Sequence, residues 1–183
     1  MYLKNLLRKK YYNLRKKNYY EINFFFFHPL ISFLKSNFKK KKFNLALYYP
    51  SNFEINVLKI LEHRYINNQN ILLPVVERAN QMEFFSWKKN NVLLVNKFGL
   101  LEPYKNNKKN PDLLIVPILA FDNNKYRLGY GKGYYDRYLN KYLKKFKNLL
   151  TVGVAFSFQK YRKLPKDKND VKLDYILTEK GIF

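Results

Sequence analysis

Cysteine is absent from this 183-residue chain, which excludes disulfide cross-links and thiolate chemistry. Acids are scarce: 13 Asp and Glu stand against 36 Lys and Arg, for a formal charge of +23. Long apolar runs are also missing. The longest candidate, residues 22–34, is interrupted by Asn23, His28, Pro29 and Ser32, and falls short of the roughly 20 residues that cross a bilayer. The basic N-terminal stretch lacks an apolar segment ending in a small-residue cleavage site, so no signal peptide is expected. A cytoplasmic protein without a membrane partner is the expectation. What is present is ordinary for a folded domain, with 47% hydrophobic residues, which argues against a disordered chain. The length suits one domain with a real core.

The charge admits two explanations. Lys and Arg neutralise phosphates, which makes nucleic acid the obvious partner. Yet the lysines are spread along the whole chain, and Lys, Asn, Tyr, Phe and Ile are abundant everywhere, as in a sequence drifting under compositional bias. Dedicated nucleic-acid binders concentrate charge and place aromatics for stacking. No specific nucleic-acid partner is expected, although a positive field helps to attract small polyanions.

The apolar spacing predicts a helix over 2–18, with basic residues between Leu3, Leu6, Leu7, Tyr11 and Leu14. A second helix is expected within 21–38, with Pro29 at a start or kink. Residues 39–42 read as a solvated lysine turn, 44–49 as a buried strand, and 55–61 as the start of a helix ending near Asn67 and Asn68. Residues 71–76 and 82–87 read as a hairpin, 105–110 as a loop, and 113–121 as a central strand buried on both faces. An amphipathic helix over 134–146 and strands over 149–156 and 173–178 complete the pattern. Such alternation predicts a single α/β domain with a mostly parallel or mixed central sheet flanked by helices.

Three of the six glycines, Gly129, Gly131 and Gly133, fall within ten residues that begin at Arg127 and end at Asp136. Glycine at alternate positions lets backbone N–H groups approach a ligand without obstruction by Cβ. The segment follows a buried strand and opens a helix, so free donors and the positive helix end meet there, which suits phosphate. Lys132 can add a point charge, and Asp136 in the first helical turn can hold Mg²⁺ against phosphates. Neither the dinucleotide pattern Gly-x-Gly-x-x-Gly nor the P-loop pattern is present. The spacing indicates phosphate and does not name the ligand.

The longer string Pro117-Ile118-Leu119-Ala120-Phe121-Asp122, followed by Arg127-Leu128-Gly129-Tyr130-Gly131-Lys132-Gly133-Tyr134-Tyr135-Asp136, resembles the signature of the 5-formyltetrahydrofolate cyclo-ligase family. Further resemblances lie in Lys4-Asn5-Leu6-Leu7-Arg8, in Tyr48-Tyr49-Pro50-Ser51-Asn52-Phe53-Glu54, in Phe98-Gly99-Leu100-Leu101-Glu102-Pro103, and in the stretch from Leu164 through Asp170 to Asp174. The resemblance implies ATP-dependent closure of 5-formyltetrahydrofolate to 5,10-methenyltetrahydrofolate, with ADP and phosphate released and Mg²⁺ required. It implies an ATP site formed by Lys4, Asn5, Leu6, Leu7 and Arg8 together with residues 127–135, in which Lys132 and Arg127 act as the catalytic cations. It further implies folate contacts at Tyr49, Glu54, Trp87 and residues 130–134, with Phe84 a second candidate, and magnesium contacts at Asp136 and Asp170. A monomer is expected.

Three departures from the family pattern stand out. Ser157-Phe158-Gln159 replaces a motif that carries an acid in many relatives, Asn169-Asp170 replaces a common His-Asp pair, and Leu101 replaces a proline. Two other readings stay open at this point. One is a basic nucleic-acid-binding protein on the same scaffold; the other is an ATP-dependent enzyme with a different small substrate.

Overall fold

The computed structural model describes residues 2–38, 42–77, 81–143 and 148–183. Helix α1 (Tyr2–Asn18) comes first, as its spacing predicts. A short 3-10 turn over Phe24–Phe27 then runs into α2 (His28–Asn37), with Pro29 in its first turn where no N–H is needed. Strand β1 (Asn44–Ala46) is shorter than expected. The following stretch gives a second difference. A 3-10 turn covers Val57–Glu62 and a single turn, α3 (Arg64–Asn67), follows it, in place of one continuous helix. His63 makes the break: its backbone is extended and its Nδ1 accepts the Tyr65 N–H at 3.1 Å.

Strands β2 (Asn70–Val76) and β3 (Met82–Ser86) form the expected antiparallel pair. A small hairpin of β4 (Leu93–Val95) and β5 (Leu101–Pro103) was not legible from the sequence. The expected strand over 113–121 is divided into β6 (Leu113–Pro117) and β7 (Ala120–Phe121), and β7 pairs with β8 (Arg127–Leu128). The chain leaves the sheet at Ile118, whose carbonyl is taken by the Arg15 and Gln159 side chains at 3.0 and 2.9 Å. Helix α4 (Tyr134–Tyr142) follows. Strands β9 (Leu150–Val154), β10 (Tyr175–Thr178) and β11 (Gly181–Ile182) complete the order. Most of the lysine turn at 39–42 and the end of the helix expected over 134–146 lie outside the described residues.

Seven strands form the central sheet in the order β11-β10-β9-β6-β1-β2-β3. All neighbours from β10 to β2 are parallel, and only the edges β11 and β3 run antiparallel. This is the predicted mostly parallel α/β architecture. Period-two alternation divides the strand residues between two cores. Leu45, Leu73, Leu113, Ile115, Val152 and Val154 pack with α2, whereas Ala46, Leu72, Leu114 and Val116 pack with Tyr138, Leu139 and Tyr142 of α4. Helix α1 joins neither core. Its Leu7 and Tyr11 pack on Ala120, Leu128 and Leu164, which lays the helix across the β7–β8 hairpin. No described helix is long and apolar enough to cross a membrane.

The strand order also fixes where a ligand can sit. From β1 the chain moves to β2 on one side, and later returns to place β6 on the other. Ligands of open parallel sheets bind at the carboxyl ends of strands where the order reverses in this way. Here those ends lead into residues 47–54 and into the β7–β8 hairpin with its glycine loop.

Candidate active site

The glycine loop leaves β8 and enters α4 through Gly133, which has φ 68° and caps the helix without a side chain. Gly131 sits at φ 95°, and a Cβ there would come 3.1 Å from the guanidinium carbon of Arg8. Both the conformation and the lack of space demand glycine. Arg8 is held in that position by its own bonds. Nε donates to the Gly129 carbonyl at 2.9 Å and Nη1 to Asn5 Oδ1 at 2.6 Å. The sequence therefore brings α1 and the loop together as the resemblance implies, with a guanidinium against the cradle.

Lys4, one turn earlier on the same face, is 8% exposed and lies between two carboxylates. Its ammonium is 2.6 Å from Asp167 and 2.5 Å from Asp170. Burial works against the charged form, but the bonds to the two acids outweigh it and hold the Lys4 pKa above the ordinary lysine value. Asp167 was not singled out from the sequence. Asn5 and Leu6 lie on the exposed side of α1, while Leu7 belongs to the core beneath the loop.

Arg127 acts below the loop. Its guanidinium is 2.9 Å from Asp136, lies over the Tyr135 ring at 5.6 Å, and has an Nε that is buried without a hydrogen-bond partner. A Cβ on Gly129 would meet it at 2.7 Å. Arg127 and Asp136 thus fasten the two ends of the loop to each other. Lys132 differs: it is exposed at the loop tip, its ammonium 5.9 Å from the Phe98 ring. Tyr134, beside it, is 6.3 Å from Phe98 by ring centroid, so the β4–β5 hairpin tip reaches the loop.

On the far side of Tyr130 lies Glu54, 7% exposed at the end of the turn after β1. It accepts from the Ser51 N–H at 2.9 Å and from Ser51 Oγ at 3.2 Å. Burial raises its pKa above the ordinary glutamate value; the Ser51 N–H, the Arg15 guanidinium and the Tyr130 hydroxyl pull the other way. Arg15 is the largest omission of the sequence reading. It is 1% exposed and bonds the Tyr130 hydroxyl, the Asn52 carbonyl at 2.7 Å and the Ile118 carbonyl at 3.0 Å. Its position, seven residues after Arg8 on the same helical face, was the available signal.

Tyr49 and Trp87 come together in a neighbouring cleft of about 440 Å³, with Leu58, Leu61, Leu93, Leu101, Lys89 and Asn91. Phe84 does not reach it; that ring is fully buried against Tyr138. Leu101, the residue in place of proline, pairs with Val95 in the hairpin and lines the cleft. Gln159 is structural, its amide donating to the Ile118 and Leu119 carbonyls and its Oε1 accepting from Phe156 N. Asn169 accepts from the Asn140 side chain through its carbonyl at 2.8 Å. Asp136 and Asp170 are each paired with a cation of the chain, and no three His or acidic side chains cluster as a metal cage among the described residues.

The arrangement offers a backbone and cationic cradle for phosphates, a buried carboxylate beside it, and an aromatic cleft for a planar ring. Known proteins resemble this chain in sequence and in fold. The model of the 5-formyltetrahydrofolate cyclo-ligase family matches residues 33–179. The 5-formyltetrahydrofolate cyclo-ligase of Haemophilus influenzae is 33% identical over 143 residues, covering 74% of this chain and 75% of that protein. That of Mycoplasma genitalium is 33% identical over 135 residues, covering 73% and 71%. Among solved structures, the 5,10-methenyltetrahydrofolate synthetase of Aquifex aeolicus superposes with a TM-score of 0.75 at 38% identity, covering 98% of this chain and 91% of its own. The synthetase from Mycoplasma pneumoniae gives a TM-score of 0.70 at 26% identity, with 95% and 97% covered. The family match begins downstream of α1, whereas the structural match takes in nearly the whole chain and so includes the helix that brings Lys4 and Arg8 to the loop. By sequence and by overall fold, the chain belongs to the 5-formyltetrahydrofolate cyclo-ligase family.

Proposed function

We propose that this protein converts 5-formyltetrahydrofolate and ATP to 5,10-methenyltetrahydrofolate, ADP and phosphate. The observation that carries the proposal is the junction at Tyr130. On one side of it lies a glycine cradle backed by Arg8, and on the other the buried carboxylate of Glu54. A reaction that transfers a phosphoryl group to one part of a folate needs both sites within reach of each other. In the proposed sequence the formyl oxygen takes the γ-phosphoryl and ADP leaves. N10 then adds to the activated carbon and loses its proton, and the C–O bond breaks as phosphate departs with the formyl oxygen. No protein nucleophile is required, in keeping with a chain that lacks cysteine.

Residues 129–133 and the first N–H groups of α4 cradle the phosphates, with Lys132 and Arg8 as their cations and Lys4 closing from α1. Arg127 acts by holding the loop through Asp136. Glu54 is suited to the adjacent N–H donors of a pterin, and the Tyr49–Trp87 cleft to its ring. Mg²⁺ in nucleotide sites is held by one or two carboxylates together with phosphates and water, so Asp136 and Asp170 fit a metal that arrives with ATP. When bound, it neutralises phosphate charge. A monomeric, cytoplasmic enzyme without nucleic-acid or membrane partners belongs to the same proposal.

Incubating the protein with 5-formyltetrahydrofolate and MgATP and following methenyltetrahydrofolate absorbance tests it. ATP-dependent product is expected, and Asp136→Asn should raise the magnesium needed for half-maximal rate. Absence of product at saturating substrate overturns the proposal; an unchanged magnesium titration removes Asp136 from the metal site.

A further inference from the structure

A buried arginine is costly unless its donors are satisfied, so where each donor goes shows what the residue holds in place. Arg15, in the last part of α1, sends Nη1 to the Ile118 carbonyl just beyond β6, and Nη2 to the Asn52 carbonyl in the turn after β1. Nη2 also donates to the Tyr130 hydroxyl, and the guanidinium lies 5.6 Å from that ring's centroid. Three segments that come together at the switch point of the sheet are thereby joined by one side chain. The turn it grips is strained: Asn52 and Phe53 sit consecutively at φ 49° and 62°, a conformation that residues with a Cβ rarely adopt. Glu54 follows immediately. The Tyr130 hydroxyl, receiving from Arg15, also bears on the Glu54 carboxylate and favours its charged form.

We propose that Arg15 is a positioning residue, which holds the Glu54 carboxylate and the 129–133 loop in one frame through the Asn52 carbonyl and the Tyr130 hydroxyl. The assignment of a role to that frame rests on the folate-and-ATP reading above. Glu54 faces Arg15 from α1, Tyr130 from the loop, Tyr48 from the end of β1 and Tyr135 from α4. Arg15 is the single cation among them, and its field offsets part of the burial that favours the protonated acid. Lysine can replace the charge but not the fork that serves three acceptors.

The test compares Arg15→Met, Arg15→Lys and Tyr130→Phe with the unaltered protein; Tyr130 is 40% exposed, so its variant keeps the fold even where Arg15→Met does not. Two readouts are used. The first is the Glu54 carboxyl titration by carbon-13 NMR, assigned with Glu54→Gln, which needs no substrate. Its midpoint is expected to rise by at least one pH unit in Arg15→Met, and to rise less in Arg15→Lys, where the charge remains. The second is steady-state kinetics. The KM for folate should increase at least tenfold in Arg15→Met and several-fold in Tyr130→Phe, with the acidic limb of kcat/KM moved to higher pH in Arg15→Met. An unmoved Glu54 titration in both Arg15 variants overturns the proposal. So does an unchanged folate KM in Tyr130→Phe. A shifted titration in a protein that turns over no folate keeps the frame and discards the folate reading.

Discussion

Lys132 stands apart from the other cations of the site because of what surrounds it. Lys4 lies between two aspartates, Arg8 is bonded to Gly129, Arg127 to Asp136, and Arg15 to three oxygen acceptors. The Lys132 ammonium lies over a ring, and among the described residues no carboxylate pairs with it. A flexible, exposed point charge can follow a phosphoryl group through transfer at little cost to the fold. Lys132→Ala should therefore lower kcat/KM by about 100-fold or more, the scale for losing one stabiliser of developing charge. The thermal unfolding midpoint should move by no more than about 2 °C, as for other surface changes. Wild-type turnover in this variant would show that the ammonium is idle. At this scale the sequence was readable wherever a motif fixed the partner. Arg8 lies against the loop, Glu54 follows β1, and Asp136 stands in the first turn of α4, the positions that the quoted motifs give them in the chain. Arg15 was hidden because a basic helix offers no compositional sign that one of its arginines is buried. The pairing of Asp170 with Lys4 was equally hidden, since two residues so distant in sequence reveal nothing of their contact.

Strands and helices were legible in proportion to their length and alternation. The pair β2–β3 and the buried runs of β6 and β9 carry five or more residues each, and all were visible. The β4–β5 hairpin has three residues per strand and exposes Val95 and Leu94, so no period was there to read. The stretch before α3 has the apolar spacing of a helix, but side-chain caps at Asn56 and His63 divide it. One element carries a prediction of its own. In β9, Gly153 lets Ile118, Leu173 and Ile176 close over the strand; a Cβ would meet their terminal carbons at 2.3, 2.8 and 2.9 Å. Gly153→Ala should destabilise the protein by about 1–3 kcal/mol, the usual range for overpacking a core. In urea this appears as a lower midpoint with an unchanged slope. An unchanged midpoint would mean that the three side chains move aside without loss.

The whole molecule carries a charge of +23, and its two proposed substrates are anions. A positive field raises encounter rates with such ligands and is screened over about 8 Å at physiological salt. The kcat/KM for ATP is therefore expected to fall several-fold between low salt and about 0.3 M, while kcat stays nearly constant. A flat profile would leave the excess lysine without a part in substrate capture. The α/β class and the single domain were readable from alternation along the chain. The strand order was not, because β1 lies between β2 and β6 only through pairings that local sequence does not encode. The same long-range character governs how the site comes into being. Lys4 meets Asp170 across 166 positions of sequence. A helix finished early in synthesis thus waits, its ammonium unpartnered, until nearly all of the chain has left the ribosome. Closing so long a loop is entropically slow, and the contact belongs among the late events of folding. Under the proposed function, competence to hold a nucleotide is then gained at the end of maturation, because a nascent chain that stops before residue 164 lacks the clasp on Lys4 together with strands β10 and β11 of the central sheet.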